Sequence, residues 1–323
     1  MLEYEVWVRE GLRRVLTSEV VIPWNDCDMK VLFSLLAISF FSSSLLAESD
    51  VARKEYVLAL EKAPLPVKEK FKTSRNMSMP DAKIELKIAG QNIKGTMSNS
   101  AKEEAIFDFV SEDEIRVTYL KNRSLQKTVM MGPEKEEEKV DASEGRGFLL
   151  EKKEGKWVGK LAEGEVEEED QKEIDKKVKS LEGNFNKQND AHIYGTKPRK
   201  VGESWDVDPS LMPGMDDFDI QGGKMMMTFL EVKDFEGEPC AVLKTSFTMD
   251  GESKDENLEG MEMKLTGSGR IVRSLKYLVD YKFVGEMEMD MKGEIEPQPG
   301  MAAEMSVDSS MKIEMRTGKV EEE

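Results

Sequence analysis

From Lys83 the chain alternates with a period of two. Ile84, Leu86 and Ile88 fall on one side of an extended segment and Lys83, Glu85 and Lys87 on the other, the pattern of a half-buried β-strand. Gly90 begins a turn through Gln91 and Asn92. The runs Ala105 to Val110 and Ile115 to Leu120 flank the polar residues 111–114 and predict a hairpin. Leu125 to Met131 and Phe148 to Leu161 continue the meander, with Gly132-Pro133 and Glu154-Gly155 as turns. Residues 132–145 between them are so charged that they read as a loop. The stretch 48–66 suits a short helix or a first strand equally well.

The period changes once. Between residues 165 and 182, Ile174, Val178 and Leu181 recur at i, i+4 and i+7, Glu173 and Lys177 form an i,i+4 pair, and Gly183 offers a terminator. A Glu-rich start and a Lys-rich end suit the helix dipole. Residues 186–209 then read as a boundary between a β-rich half, 48–195, and a second half, 196–323. In the second half Lys224 to Val232, Ala241 to Met249, Leu258 to Ile271, Tyr277 to Met291 and Ala303 to Met315 read as five strands. The sequence Gly267-Ser268-Gly269 suggests a bulge within the third. The expectation is a mainly β protein: a long antiparallel sheet, curved or barrel-like, with one prominent α-helix.

The methionines follow this alternation. Of 22 in the chain, Met261 and Met263, then Met287, Met289 and Met291, then Met311 and Met315 recur every second or fourth residue. A strand places such positions on one face, with Glu262, Glu286, Glu288, Asp290 and Glu314 on the other. Three readings follow: an apolar core filled by an adaptable side chain, an open face that binds lipid or another apolar molecule, and a soft-metal site for Cu(I). Met-x-Met spacing arises on any strand that buries methionine, so spacing alone does not argue for copper. Met225, Met226 and Met227 in series cannot all face one side.

Residues 29–47, MKVLFSLLAISFFSSSLLA, have the form of a secretory signal: a start Met, one Lys, an apolar run and small residues at the end. The run falls short of the roughly 20 apolar residues that span a bilayer, so no stable transmembrane anchor is expected. The expected location is therefore periplasmic or secreted, with residues 1–28 an over-extended N-terminus. A signal anchor that leaves 1–28 inside, beside Arg13 and Arg14, is the alternative. Cleavage would leave about 275 residues, enough for one large or two medium domains.

Charge and chemistry narrow the classes further. A formal net charge of −18 with 35% charged residues opposes binding to nucleic acid or anionic lipid surfaces, which need Lys and Arg to displace counterions. Of the two cysteines, Cys27 lies upstream of the signal, so Cys240 has no intrachain partner after cleavage and reads as a small buried residue on a strand. His192 is the only histidine. Ser204 in GESW lacks the glycine that a nucleophile elbow needs, and Gly202 with Trp205 marks a turn into a strand whose indole covers the core edge. Asp216, Asp217 and Asp219 lack the spacing of a calcium loop. No catalytic residue, metal site or cofactor is indicated.

The signal, the long alternating strands and the segment KPRKVGESWDVDP, residues 197–209, together resemble a loose group of exported all-β bacterial proteins of unknown function, in which a VG-x-x-W element opens the second half. In shape alone, a long curved antiparallel sheet also looks like the lipoprotein-carrier half-barrels of the bacterial envelope. The resemblance implies a fold and no activity. The functional expectation is an exported, non-enzymatic envelope protein that binds a lipid or other apolar ligand on its methionine-rich face. The competing expectation is a structural module with a fully packed methionine core and an envelope protein as partner.

Overall fold

The computed structural model describes residues 54–320 apart from 62, 89, 131, 163–165, 187–189, 212–217, 255–259 and 299–300. The expected signal at 29–47, its upstream segment with Cys27, and Asp216 and Asp217 lie outside the described residues. The strands are β1 (Glu55–Tyr56), β2 (Lys70–Ile88), β3 (Gln91–Phe109), β4 (Glu114–Met130), β5 (Lys135–Val140), β6 (Gly147–Lys153), β7 (Lys156–Leu161), β8 (Arg199–Lys200), β9 (Ser204–Val207), β10 (Phe218–Phe235), β11 (Glu238–Ser253), β12 (Glu262–Ser274), β13 (Asp280–Gln298) and β14 (Met301–Lys319). Between β7 and β8 lie a long helix α1 (Glu168–Asn186) and a one-turn helix α2 (Ala191–Tyr194).

Strands β2 to β7 and β9 to β14 form one antiparallel sheet in the order β7-β6-β4-β3-β2-β14-β13-β12-β11-β10-β9, with β5 also pairing with β4. It is an open sheet with β7 and β9 at its ends, not a closed barrel. The two sequence halves meet where β2 pairs with β14, from Phe71 opposite Lys319 to Ile88 opposite Ala303. Twisted open sheets of this width curl, and one face here is buried strand after strand. On β14 Met305, Val307, Met311 and Ile313 are buried while Glu304, Ser306, Lys312 and Glu314 are exposed.

Curling is helped by a bulge at the sheet's centre. β2 carries an extra residue against both neighbours, between Met79 and Ala82 on the β3 side and opposite the Asp308 to Lys312 step on the β14 side. Pro80, which has no N–H to give to a ladder, sits in this bulge, where proline is tolerated inside a sheet. Because of the bulge, Phe71, Met79, Ala82 and Ile84 share a face across the change of register.

The buried residues form two clusters. The larger gathers residues of β2, β3 and β10 to β14 together with Leu58, Ile193 and Tyr194. The smaller is built on Phe71, Phe109, Ile115, Val117, Phe148, Leu150 and Trp157, and Ile174 and Leu181 of α1 close it. α1 begins with Glu168, Glu169 and Asp170, as its dipole favours. It also protects the sheet's end. Glu182 accepts a hydrogen bond from the Gly159 N–H at 2.7 Å, and Asn186 both accepts from Trp157 N–H and donates to its carbonyl, at 2.8 and 3.0 Å. Two otherwise open backbone positions of the edge strand β7 are thereby satisfied. A Cβ on Gly159 would stand 3.1 Å from the Val178 side chain, so glycine lets the helix approach.

Several expectations need correction. The strand expected from Lys83 starts at Lys70, and Leu125 to Met130 continues the strand that begins at Glu114. Part of the charged loop 132–145 forms β5, every residue of which is exposed. α1 runs through Gly183 to Asn186 and has no basic residue in its last turn. Glu173 and Lys177 do not pair with each other: Glu173 meets Lys139 at 2.6 Å and Lys177 meets Glu103 at 2.9 Å. Residues 267–269 run in regular register, and the irregularity between β12 and β13 lies at Val272/Arg273 instead.

Candidate functional site

The methionines expected on one face are brought together by strand register. Met263 lies opposite Met291, Leu265 opposite Met289, Met287 opposite Met311, and Met315 opposite Phe283. Met261, Met263, Met287, Met289, Met291 and Met311 belong to the larger cluster at 0–7% exposure, and Met315 packs against it half-buried. Gly293 makes room for the first of them, since a Cβ there would stand 2.9 Å from the Met261 backbone. The outer face carries Glu262, Glu286, Glu288, Asp290 and Glu314, all exposed, with cross-strand pairs such as Lys292 to Glu262 at 2.9 Å and Lys312 to Glu286 at 3.2 Å.

The methionine surface is wider than the sequence sets indicated. Met79 of β2, Met97 of β3, Met225 and Met227 of β10, Met249 of β11 and Met305 of β14 enter the same cluster. Met226, between two buried neighbours, is exposed, as strand geometry requires. Scattered single methionines gave no motif, and only the pairing of strands far apart in sequence unites them. Within this apolar face the hydroxyls of Thr245 and Ser309 are buried with no hydrogen-bond partner among the described residues.

The same face turns polar on β2, β3 and β4, between the two clusters. Arg75 pairs across to Glu103 at 3.9 Å, and Lys177 reaches in from α1 to Glu103 while lying 4.0 Å above the Tyr119 ring. Asn99 stands opposite Met79 on one side and Gln126 on the other. Arg75, Asn99, Glu103 and Gln126 are half-buried, while Met79, Lys177 and Tyr119 are buried. Burial, followed by the charge of Glu103, pushes the Tyr119 hydroxyl well above its ordinary value, so it stays protonated. No pattern along the chain marks this strip, because its polar residues break the alternation of a buried face.

A second polar group closes the far side of the larger cluster. Arg273 is buried, donates to Asp280 at 2.7 Å, Asp190 at 2.6 Å and the Leu58 carbonyl at 2.8 Å, and stacks 3.9 Å from the Tyr194 ring. It ties the N-terminal segment and α2 to the sheet. Trp205 of β9 donates its indole N–H to the Ile193 carbonyl at 2.8 Å and covers the cluster's edge after the turn at Gly202, whose φ is +89°. His192 lies in α2 with Nε2 buried and unpartnered among the described residues. Ser204 shares a hydrogen bond with Thr228 at 2.9 Å on the exposed edge. Cys240 is a buried free thiol on β11. Among the described residues no group of three or more His, Cys, Asp or Glu is placed to hold a metal ion, and no helix is long and apolar enough to cross a membrane.

No protein-family model and no curated protein matches the sequence. Among solved structures the chain is similar to lipovitellin, described for its lipid–protein interactions, with a TM-score of 0.39 and 6% identity over 80% of this chain and 26% of that one. It is similar to a β-barrel-like protein of a domain of unknown function, DUF1849, from Brucella abortus (TM-score 0.19, 9% identity, 80% of this chain and 100% of that one). A DUF1329 family protein from Desulfovibrio piger follows (TM-score 0.14, 8% identity, 72% and 83%). The latter two are bacterial proteins of unknown function, the kind that the VG-x-x-W element resembled. At these distances none of the three bears on what this chain does.

Proposed function

We propose that the chain is an exported envelope protein that holds an apolar ligand against the methionine-rich inner face of its sheet, at Met261, Met263, Met287, Met289, Met291, Met311 and Met315. The observation that carries the reading is the extent of that surface: methionines from seven strands share one buried cluster. Leucine or valine would pack such a core in better-defined rotamers. Methionine, unbranched with three rotatable side-chain bonds, suits an interior that must be closed when empty and reshaped when filled. Each buried methionine contributes about 1.5–3 kcal/mol relative to exposure, and a chain that replaces methionine contacts with its own apolar contacts preserves most of that. Two buried hydroxyls without partners among the described residues, on Thr245 and Ser309, suit an interior that also meets an ester or hydroxyl group.

A second reading, a packed core in a module that binds a protein partner, is favoured by the near-complete burial of the same methionines. Native mass spectrometry of the protein from its native envelope, before and after organic extraction, separates the two. The binding reading expects a lipid-sized mass that extraction removes. A bare mass without lipid or copper overturns it.

A further inference from the structure

Resting on the apolar-ligand reading, we infer that three glycines and a threonine on β11, β12 and β13 seat the ring of a lipid, and that this ligand carries one flat ring or two fused ones with a carbonyl or hydroxyl oxygen at the edge, the chemistry of an isoprenoid quinone. Strand register places the seat. Gly267 and Gly269 of β12 lie on the inward side with Leu265 and Ile271, and Gly285 of β13 lies there with Phe283 and Met287. Gly267 is opposite Phe247 on one side and Met287 on the other, and Gly269 is opposite Gly285. Glycine weakens the interior of a strand, and its presence there marks a bulge, a bend or a place that something approaches closely. The register is regular through these residues, so no bulge accounts for them. Gly269 and Gly285 face each other, so neither makes room for a side chain of the other, as Gly293 does for Met261.

No Cβ rises from the three positions. The floor they make is bare peptide, about 7 Å along β12 and about 5 Å across to β13, the footprint of one or two fused six-membered rings. Its rim is apolar, with Phe247, Leu265, Ile271, Phe283 and Met287 all buried. Thr245 stands opposite Gly269, on the side away from Gly285. It is 1% exposed, lies inward with Leu243 and Phe247, and its hydroxyl has no hydrogen-bond partner among the described residues. A buried hydroxyl left unpaired is costly, and an oxygen at the ring's edge supplies the partner that a bare hydrocarbon cannot. Gly269 and Gly285 are buried, so the ring reaches them by displacing side chains. Those beside the floor are methionines: Met225 opposite Phe247, Met227 opposite Thr245, and Met311 opposite Met287. Their unbranched chains swing aside readily, and the ligand's own chain follows them along the face.

The test is titration of the lipid-stripped protein, taken from its native envelope, with menaquinone-4, a naphthoquinone on an isoprenoid chain, and with squalene, an isoprenoid hydrocarbon that has neither ring nor oxygen. Both are read by native mass spectrometry. Menaquinone-4 should bind about tenfold or more tightly. Gly269→Val fills the floor with a residue that strands favour; it should reduce menaquinone-4 to the squalene level, leave squalene unchanged and raise the thermal midpoint. Thr245→Val keeps the shape and removes the hydroxyl; it should weaken menaquinone-4 about fivefold and leave both squalene binding and the thermal midpoint no lower. A lower midpoint in Gly269→Val assigns the glycines to the bend and packing of the sheet and overturns the seat. Equal binding of the two lipids, menaquinone-4 binding that either variant leaves unchanged, or equal loss of both lipids overturns it too, while the apolar interior stands. Binding of neither lipid by the unsubstituted protein overturns the apolar-ligand reading itself.

Discussion

Cys240 is the only cysteine among the described residues and is fully buried. Burial, helped by the negative charge of Glu238, pushes its thiol up to about 11, and the thiolate is the reactive form. At pH 8 the folded protein should resist a maleimide or a disulfide reagent for hours, and labelling should appear only with unfolding in urea. Rapid labelling of the native protein would contradict that environment. Arg273 behaves differently because its partners are charged. Arg273→Ala leaves Asp280 buried without its guanidinium and should cost about 3–5 kcal/mol, seen as a lower urea midpoint; adding Asp280→Asn should recover part of the loss.

Glu104 and Glu144 report on acid. Hydrogen bonds from Lys102 and Lys72 hold Glu104 down to about 2, and Arg123 with the Asn122 N–H holds Glu144 there too. A carboxylate whose folded pKa is depressed stabilises the fold fully above its unfolded pKa and loses that contribution as pH falls. Thermal stability should therefore decline between about pH 4.5 and 2. Glu144→Gln should flatten part of that decline, and both groups lie close enough to solvent for added salt to shrink the effect.

At the scale of elements, the bulge in β2 decides which side chains face inward. Deleting Asp81 would remove the extra residue and turn either Ile84, Leu86 and Ile88 or the segment before Met79 to the wrong face. That deletion should abolish cooperative unfolding, whereas Pro80→Ser should be tolerated, because the bulge needs the residue count more than the ring. Circular dichroism through a thermal ramp checks both. Elements were legible where one face met an apolar cluster and the other met water: all five C-terminal strands, the hairpin around residues 111–114 and the core of α1 stood out. They were illegible where that contrast fails. The first half of β2 faces the polar strip with Thr73 and Arg75, so its alternation carries no hydrophobic signal. β5, KEEEKV, is an exposed edge strand held by backbone pairing with β4 and by ion pairs such as Lys127 to Glu136 and Lys139 to Glu173, both at 2.6 Å, and its charges made it read as loop. The last turn of α1 exists because Glu182 and Asn186 serve β7, a tertiary reason that no helical period contains.

For the whole molecule, the antiparallel β class and the inward side of the methionine strands were readable from the chain, because the period of two fixes faces without knowledge of neighbours. The sheet order was not, since pairing β2 with β14 joins residues more than two hundred positions apart. Nor was the polar strip, which exists only after β2, β3, β4 and α1 converge. The β2–β14 seam also carries the structure's dependence on its last strand. A chain stopped after Gln298 would expose β2 and β13 as new edges and open the larger cluster, and it should aggregate or elute as an expanded species in size-exclusion chromatography.

That seam has a consequence in time. Whichever way the polypeptide is delivered, its N-terminal end first, β2 and β3 stand waiting with half of an apolar interior while more than two hundred residues follow. Contacts of such long range form late and slowly. Until β14 arrives the nascent protein offers sticky surface to holdases and cleavable backbone to proteases. The interval between release of the first strand and capture by the last is therefore the moment at which its yield in the cell is decided.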